Sequence, residues 1–143
     1  MMVNLEKRIE KIFDLLSRLS EEGAKGIPII IEGKKDVRSL KRLKIKGNMI
    51  TAKTFGMPSI DVLREIKRRQ KREVIILLDF DRRGKELTKR LLRQFEREKI
   101  KCNLSYWKKL QFLVGRNVKD VEGLYSYLKT LMDKLGNTNR QSN

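Results

Sequence analysis

Histidine is absent from this chain, and cysteine occurs once, at Cys102. A single cysteine excludes an internal disulfide, and without histidine the chain has no cysteine/histidine zinc site. Any catalytic metal must therefore sit on oxygen ligands, which suits Mg²⁺ or Mn²⁺. Cys102 falls in a predicted strand and is expected to be buried and inert.

Long apolar runs are also missing. No stretch approaches the ~20 apolar residues that cross a bilayer, and no charged-then-apolar signal segment opens the chain. We therefore expect a cytoplasmic protein with no membrane partner. At 143 residues the chain is expected to form one domain. Abundant Lys, Arg, Glu and Ile would also suit a thermophile.

Positive charge is what the sequence has in excess. Lys and Arg number 35 against 18 Asp and Glu, for a formal net charge of +17. This excess favours nucleic acid, an anionic membrane or another acidic partner without choosing among them. Basic runs recur at Lys34–Lys46, Arg64–Arg72 and Arg82–Arg93. Each alone would be a solvated helix end, but their density favours a surface that follows phosphates.

Apolar periodicity predicts strands and helices in regular alternation. Strands are expected at Ile27–Ile31, Met49–Thr51, Glu73–Leu78 and Lys101–Tyr106, and helices at Asn4–Glu22, Lys34–Leu43, from Pro58, at Gly84–Lys99 and at Asp120–Leu135. This alternation predicts an α/β fold, with a mainly parallel four-stranded sheet covered by helices on both faces.

Acidic residues follow two of the predicted strands. Asp79 and Asp81 end the most apolar run of the chain, and Glu32 directly follows Ile29–Ile31. In an extended strand Asp79 and Asp81 point the same way while Phe80 points opposite. Carboxylates held side by side repel each other, so the arrangement favours a bound cation. Because parallel strands gather their carboxyl ends at one edge, we expect the three acids to converge there.

These two motifs together resemble the Toprim domain. Glu32-Gly33 at a strand end, followed later by a strand ending in Asp-x-Asp-x-x-Gly at Asp79–Gly84, is similar to the fold shared by topoisomerases, bacterial-type primases, OLD-family nucleases and small ribosomal-RNA maturases. The resemblance covers roughly Ile27 to Tyr106 and implies a Rossmann-like core. Around it we expect an N-terminal helical extension (residues 1–26), a Toprim domain with a C-terminal helix (27–135) and a flexible tail (136–143).

The resemblance implies a role for each acid. Glu32 would be the general acid or base, or a metal ligand, near the scissile phosphate. Asp79 and Asp81 would bind Mg²⁺ or Mn²⁺, directly or through water. Such an ion neutralises charge on a phosphate oxygen and lowers the pKa of an attacking water.

Other residues are expected to support this site. Gly33 and Gly84 belong to the two motifs, and Asp36 either supports the site or favours the start of its helix through the macrodipole. The cations expected to bind nucleic acid are Lys34, Lys35, Lys53, Arg82, Arg83, Lys85 and Lys108.

The function that the sequence favours is a small metal-dependent nuclease, with RNA preferred over DNA as its substrate. The topoisomerases of this family usually carry a third acid where this chain has Arg83. Strand passage and primer synthesis are also expected to need further domains. The alternative is a non-catalytic nucleic-acid-binding adaptor or a subunit of a larger complex, which would dimerise or dock through its terminal helices.

Some of these residues have simpler interpretations. In the less favoured interpretation, Asp79 and Asp81 only end a strand and cap the next helix, although one cap needs only one acid. Tyr106 and Trp107 would stack on a base, but core packing is the favoured interpretation. Glu122 is expected on an exposed helix surface, and service at the site is the less favoured alternative.

Overall fold

The computed structural model describes the backbone of residues 2–52 and 58–142, and the side chains of residues 4–52 and 60–137. Its helices are α1 (Met2–Ala24), α2 (Lys34–Arg42), α3 (Pro58–Arg68), α4 (Arg82–Arg97), α5 (Ser105–Val114) and α6 (Leu124–Ser142), and its strands are β1 (Ile29–Ile31), β2 (Met49–Thr51), β3 (Glu73–Ile76) and β4 (Lys101–Asn103). The four strands pair in parallel in the order β2-β1-β3-β4. The predicted α/β architecture is confirmed.

The sheet is apolar on both faces because helices cover both. In β1 and β3 successive side chains alternate between the faces. Ile29, Ile31 and Ile75 join one core, and Ile30 and Ile76 join the other. The register, which pairs Ile29 with Ile75 and Ile30 with Ile76, keeps each set on its own face.

Helices α1, α2, α5 and α6 cover the first face, and α3 and α4 cover the second. The N-terminal helix, predicted as an extension outside the core motif, therefore supplies part of the main core through Ile12, Leu16 and Leu19. Its buried stripe includes Leu15, whereas Phe13 is exposed. Dimerisation or docking through the terminal helices stays a prediction, and it would have to use their outer faces.

A helix follows β4 where the sequence predicted a strand as far as Tyr106. β4 ends at Asn103, whose side-chain Oδ1 accepts hydrogen bonds from the N–H and the hydroxyl of Ser105 at 2.9 and 2.7 Å. These bonds form a turn at Asn103, directly before the N-cap position of α5 at Leu104. The helix then buries Tyr106, Trp107, Leu110 and Val114. The adjacent aromatics had favoured a strand, and helical spacing with core burial overrides that preference.

The last helix begins later and ends later than predicted. It starts at Leu124 and continues to Ser142, where the sequence predicted Asp120–Leu135 and a loose tail at 136–143. In the segment before the helix, Lys119 and Val121 bond to Phe80 and Asp79, just beyond the end of β3. No helix within the described ranges combines the length and apolarity that a bilayer span requires.

Candidate functional site

The strand order places a crevice beside the ends of β1 and β3. These two strands are neighbours, yet β1 leads through α2 to β2 on one side and β3 leads through α4 to β4 on the other. Sheets of this type bind ligands beyond the carboxyl ends of the strands at such a reversal. Glu32 directly follows β1, and Asp79 follows β3 at the same edge.

Glu32 and Asp79 meet there and form what we call the acidic pair. The N–H of Asp79 donates to Glu32 Oε1 over 3.3 Å, and the two carboxyl groups also hydrogen-bond to each other. A bond between two carboxyl groups requires a proton on one of them. Partial burial, followed by the hydrogen bond and the negative charge of Glu32, raises the pKa of Asp79 to about 7. The predicted convergence of these two acids is confirmed.

Asp81 shares a cavity of about 490 Å³ with the acidic pair, but it is also engaged elsewhere. It is the N-cap of α4, and its Oδ1 accepts a hydrogen bond from the N–H of Gly84 at 2.8 Å. The capping interpretation therefore holds for this residue. In the described part of the chain, no group of three acidic or cysteine side chains is arranged to hold a metal ion by itself.

Asp36 links two segments of the site. Only 6% of the residue is exposed, and its Oδ2 accepts a hydrogen bond from the N–H of Gly33 at 2.8 Å. A second backbone hydrogen bond comes from Glu122. Burial, and then the negative charge of Asp79, raises the pKa of Asp36 to about 6. The side chain thus joins the turn after β1 to the segment before α6.

That segment, residues 119–123, is the part of the site that sequence reasoning missed. The N–H of Phe80 donates to the carbonyl of Lys119 at 2.7 Å, and the N–H of Val121 donates to Asp79 Oδ1 at 3.2 Å. Asp120 accepts a bond from the N–H of Gly123 at 2.8 Å, and its charge helps to raise the pKa of Asp79. The Asp-x-x-Gly spacing is a turn pattern and was the one available sign.

Glu122 lies in this turn and not on a helix as expected, although it is exposed as predicted. Its carboxylate lies 3.9 Å from Lys35 Nζ and lines a cavity of about 400 Å³ together with the acidic pair.

Cations surround the acidic pair on two sides. Lys34 and Lys35, at the start of α2, line the 400 Å³ cavity, and Arg83 and Arg90 line the 490 Å³ cavity. Arg90 belongs to the basic run Arg82–Arg93, but it was not among the seven cations singled out for binding nucleic acid. It lies on the face of α4 that carries Arg83, and helical spacing from Arg83 would have indicated it.

The other predicted cations lie elsewhere. Arg82 is exposed and pairs with Glu86 at 3.2 Å. Lys85 and Lys108 line two separate cavities near the end of α5 and beside α1. Lys53 falls outside the described residues. The structure therefore groups only part of the predicted set around the acidic pair.

Comparison with known proteins agrees with this architecture. The Toprim domain family matches residues 27–107, more than half of the chain. The UPF0292 protein of Methanosarcina barkeri is 42% identical over 138 residues, which cover 94% of each chain. The UPF0292 protein of Methanocaldococcus jannaschii is 36% identical and covers 86% of this chain and 94% of its own. A putative protein from Aquifex aeolicus shares the fold, with a TM-score of 0.63 at 21% identity over 76% of this chain and 94% of that one.

Proposed function

This chain belongs to the Toprim domain family, and from that membership and its acidic pair we propose that it is a Mg²⁺- or Mn²⁺-dependent nuclease that hydrolyses phosphodiester bonds in RNA. The observation that carries the proposal is the contact between Glu32 and Asp79. Two carboxyl groups that follow neighbouring strands lie together at the reversal point of a strongly cationic chain, and the pKa of one of them, Asp79, is raised to about 7. Perturbed acids in a cleft of this kind are typical of functional sites.

The donor set fits a hard divalent ion. Mg²⁺ usually keeps several waters and binds one or two carboxylates together with substrate phosphates, rather than a closed protein cage. An acidic pair with Asp81 on the same cavity, and no closed cluster within the described residues, agrees with that mode. Asp79 and Asp81 would hold the ion, with Glu32 as a further ligand. When bound, it would stabilise charge on a phosphate oxygen and acidify a water molecule.

The protein's own residues would do the remaining work. Glu32 would accept a proton from the attacking water or return one to the leaving oxygen, because its carboxyl group lies against Asp79 at the edge of the acidic cavity. The N–H of Val121 would keep Asp79 Oδ1 in place. Lys34, Lys35 and Arg83 would hold neighbouring phosphates and offset the repulsion between the substrate and the carboxylates.

A non-catalytic RNA-binding adaptor is the second candidate, and Asp81 is the observation that favours it. Asp81 caps α4 without any metal ion. A chain with a net charge of +17 can also bind RNA without cleaving it. The acidic pair argues for the enzyme, since carboxylates that face a phosphate backbone weaken simple binding.

Cleavage assays with labelled single- and double-stranded RNA and DNA, in Mg²⁺, in Mn²⁺ and in chelator, separate the two candidates. Glu32→Gln and Asp79→Asn should each abolish metal-dependent cleavage and leave the circular dichroism spectrum unchanged. Glu98→Gln, a matched change at the far end of α4, should cleave normally. Cleavage that survives both acid substitutions would identify a contaminating nuclease. Salt-dependent binding without any cleavage would favour the adaptor.

A further inference from the structure

Phe112 on α5 is 89% exposed, the highest value among the large apolar side chains that the structure describes as exposed. Tyr106 and Trp107, the aromatics weighed from the sequence as base contacts, are 6% and 8% exposed and belong to the core. A single exposed phenylalanine needs no explanation by itself. The cavities and cationic side chains around Phe112 indicate a binding surface.

Phe112 lies where two cavities meet. One, of about 800 Å³, is also lined by Lys85 and Arg116, and the other, of about 390 Å³, is also lined by Lys108 and Lys109. We call this surface the Phe112 patch; it further includes Lys11. Within the described ranges, none of these five cations forms an ion pair. Asp14, the carboxylate among the described residues that line the two cavities, is paired with Arg18 at 3.3 Å. The aromatic ring is therefore surrounded by unneutralised positive charge.

The patch lies next to the acidic site. Phe80 is buried at the wall of the larger cavity, and its two chain neighbours, Asp79 and Asp81, line the acidic cavity. Lys85, one turn into α4, lines the same larger cavity as Phe80. A single loop thus separates the acidic pair from the Phe112 patch.

We propose that Phe112 stacks on an unpaired base of single-stranded RNA whose phosphates lie on the surrounding Lys and Arg side chains. This inference rests on the proposed function for its choice of partner. A cationic groove with an exposed aromatic ring suits single strands, since every base offers a face for stacking and the cations follow the backbone. Bases within a duplex stack on one another and cannot reach the ring. A second copy of the chain would bring like charge against this patch.

Fluorescence anisotropy in chelator measures this contact without cleavage. The probes are a labelled single-stranded RNA of about 12 nucleotides, within the range of single-strand site sizes, and the blunt duplex with its complement. Phe112→Ala should weaken single-strand binding by roughly 5- to 100-fold, the loss expected for one stacked base. Phe112→Trp should keep or strengthen it, while Phe112→Leu should bind almost as weakly as the alanine variant. Duplex binding should change little in all three.

Phe13→Ala is the matched control, because Phe13 is exposed on α1 and does not line either cavity. It should bind both probes as the parent does. Unchanged single-strand binding by Phe112→Ala, or equal losses for single strand and duplex, would overturn the proposal. So would a dimer in light scattering that Phe112→Ala converts to a monomer, since the patch would then bind a second copy.

The outcomes also separate this inference from the nuclease proposal. If Phe112 stacks on RNA but the protein never cleaves it, the stacking proposal holds and the nuclease proposal fails. If cleavage depends on Glu32 and Asp79 but substitution of Phe112 does not change binding, the nuclease proposal holds and the stacking proposal fails.

Discussion

The N–H of Val121 donates a hydrogen bond to Asp79 Oδ1 across 42 positions of sequence. The bond brings the turn before α6 onto the acid that follows β3, and the turn carries a further carboxylate, Asp120, into the same electrostatic neighbourhood. The ionisation of Asp79 is therefore controlled partly by a segment outside the two motifs that identify the family.

Asp120→Asn tests that control. An asparagine keeps an oxygen for the hydrogen bond from the N–H of Gly123 and removes one negative charge near Asp79. The ionised form of Asp79 becomes easier to reach, so its pKa falls. We expect the acid limb of the pH profile of kcat/KM to move to lower pH, while Asp133→Asn on α6 leaves it in place. A limb that moves to higher pH would contradict this account.

Stability without metal should fall as pH rises through the weakly acidic range. The pKa of Asp36 is about 6 and that of Asp79 about 7, both above the ordinary value of 3.8. Between about pH 3.8 and these pKa values, the folded state binds more protons than the unfolded state. The free energy of unfolding therefore falls as the pH rises. Urea unfolding at about pH 5 and about pH 8 measures the difference. Asp79→Asn should reduce it, and a stability that rises over this range would contradict the raised values.

Mg²⁺ should stabilise the fold more at high pH than at low pH. The ion competes with the proton that the raised pKa keeps on Asp79, so binding requires the release of that proton. The increase in Tm with Mg²⁺ should therefore be larger at about pH 8 than at about pH 5.5. Asp79→Asn should lose the increase at both values, whereas Glu98→Gln should keep it. An equal increase in the Asp79 variant would place the ion elsewhere.

Gly84→Ala should disturb the acid loop. A Cβ at this position would overlap the backbone carbonyl of Asp79, which cannot move aside without displacing the acidic pair. We expect a loss of about 1–3 kcal/mol in the free energy of unfolding, and lower cleavage.

The matched control is Gly136→Ala on α6, where a Cβ would meet no atom within 4 Å. Since alanine favours a helix over glycine, this variant should be more stable by roughly 0.5–1 kcal/mol. If both substitutions changed the free energy of unfolding by the same amount in chemical denaturation, the close approach of Gly84 to Asp79 would not contribute to stability.

Cys102 should be chemically inert in the folded protein. Partial burial and the charge of Glu96 raise the pKa of its thiol to about 12, so little thiolate exists at neutral pH. Alkylation by iodoacetamide should be slower than in the urea-unfolded chain by on the order of a thousand-fold. Glu96→Gln should speed the reaction of the folded protein. Equal rates in folded and unfolded chains would contradict the raised pKa.

The parallel sheet and its acidic edge were readable from the sequence because they depend on local pattern. The apolar runs that become β1 and β3 are flanked by helical periodicity, and parallel strands must place Glu32 and Asp79 at the same edge. The helix after β4 was not readable, because Tyr106 and Trp107 suit a strand or a helix equally until burial decides.

By itself the sequence determined the alternation of strands and helices, the order of the acids along the chain and the large positive charge, since all three follow from residue type and spacing. Only the tertiary structure decided that Asp36 is buried, that Val121 bonds to Asp79, and that Phe112 is exposed between two cationic cavities. Those features arise where segments distant in sequence pack together. Burial and electrostatic neighbours at such contacts are properties of the whole fold, and no local pattern contains them.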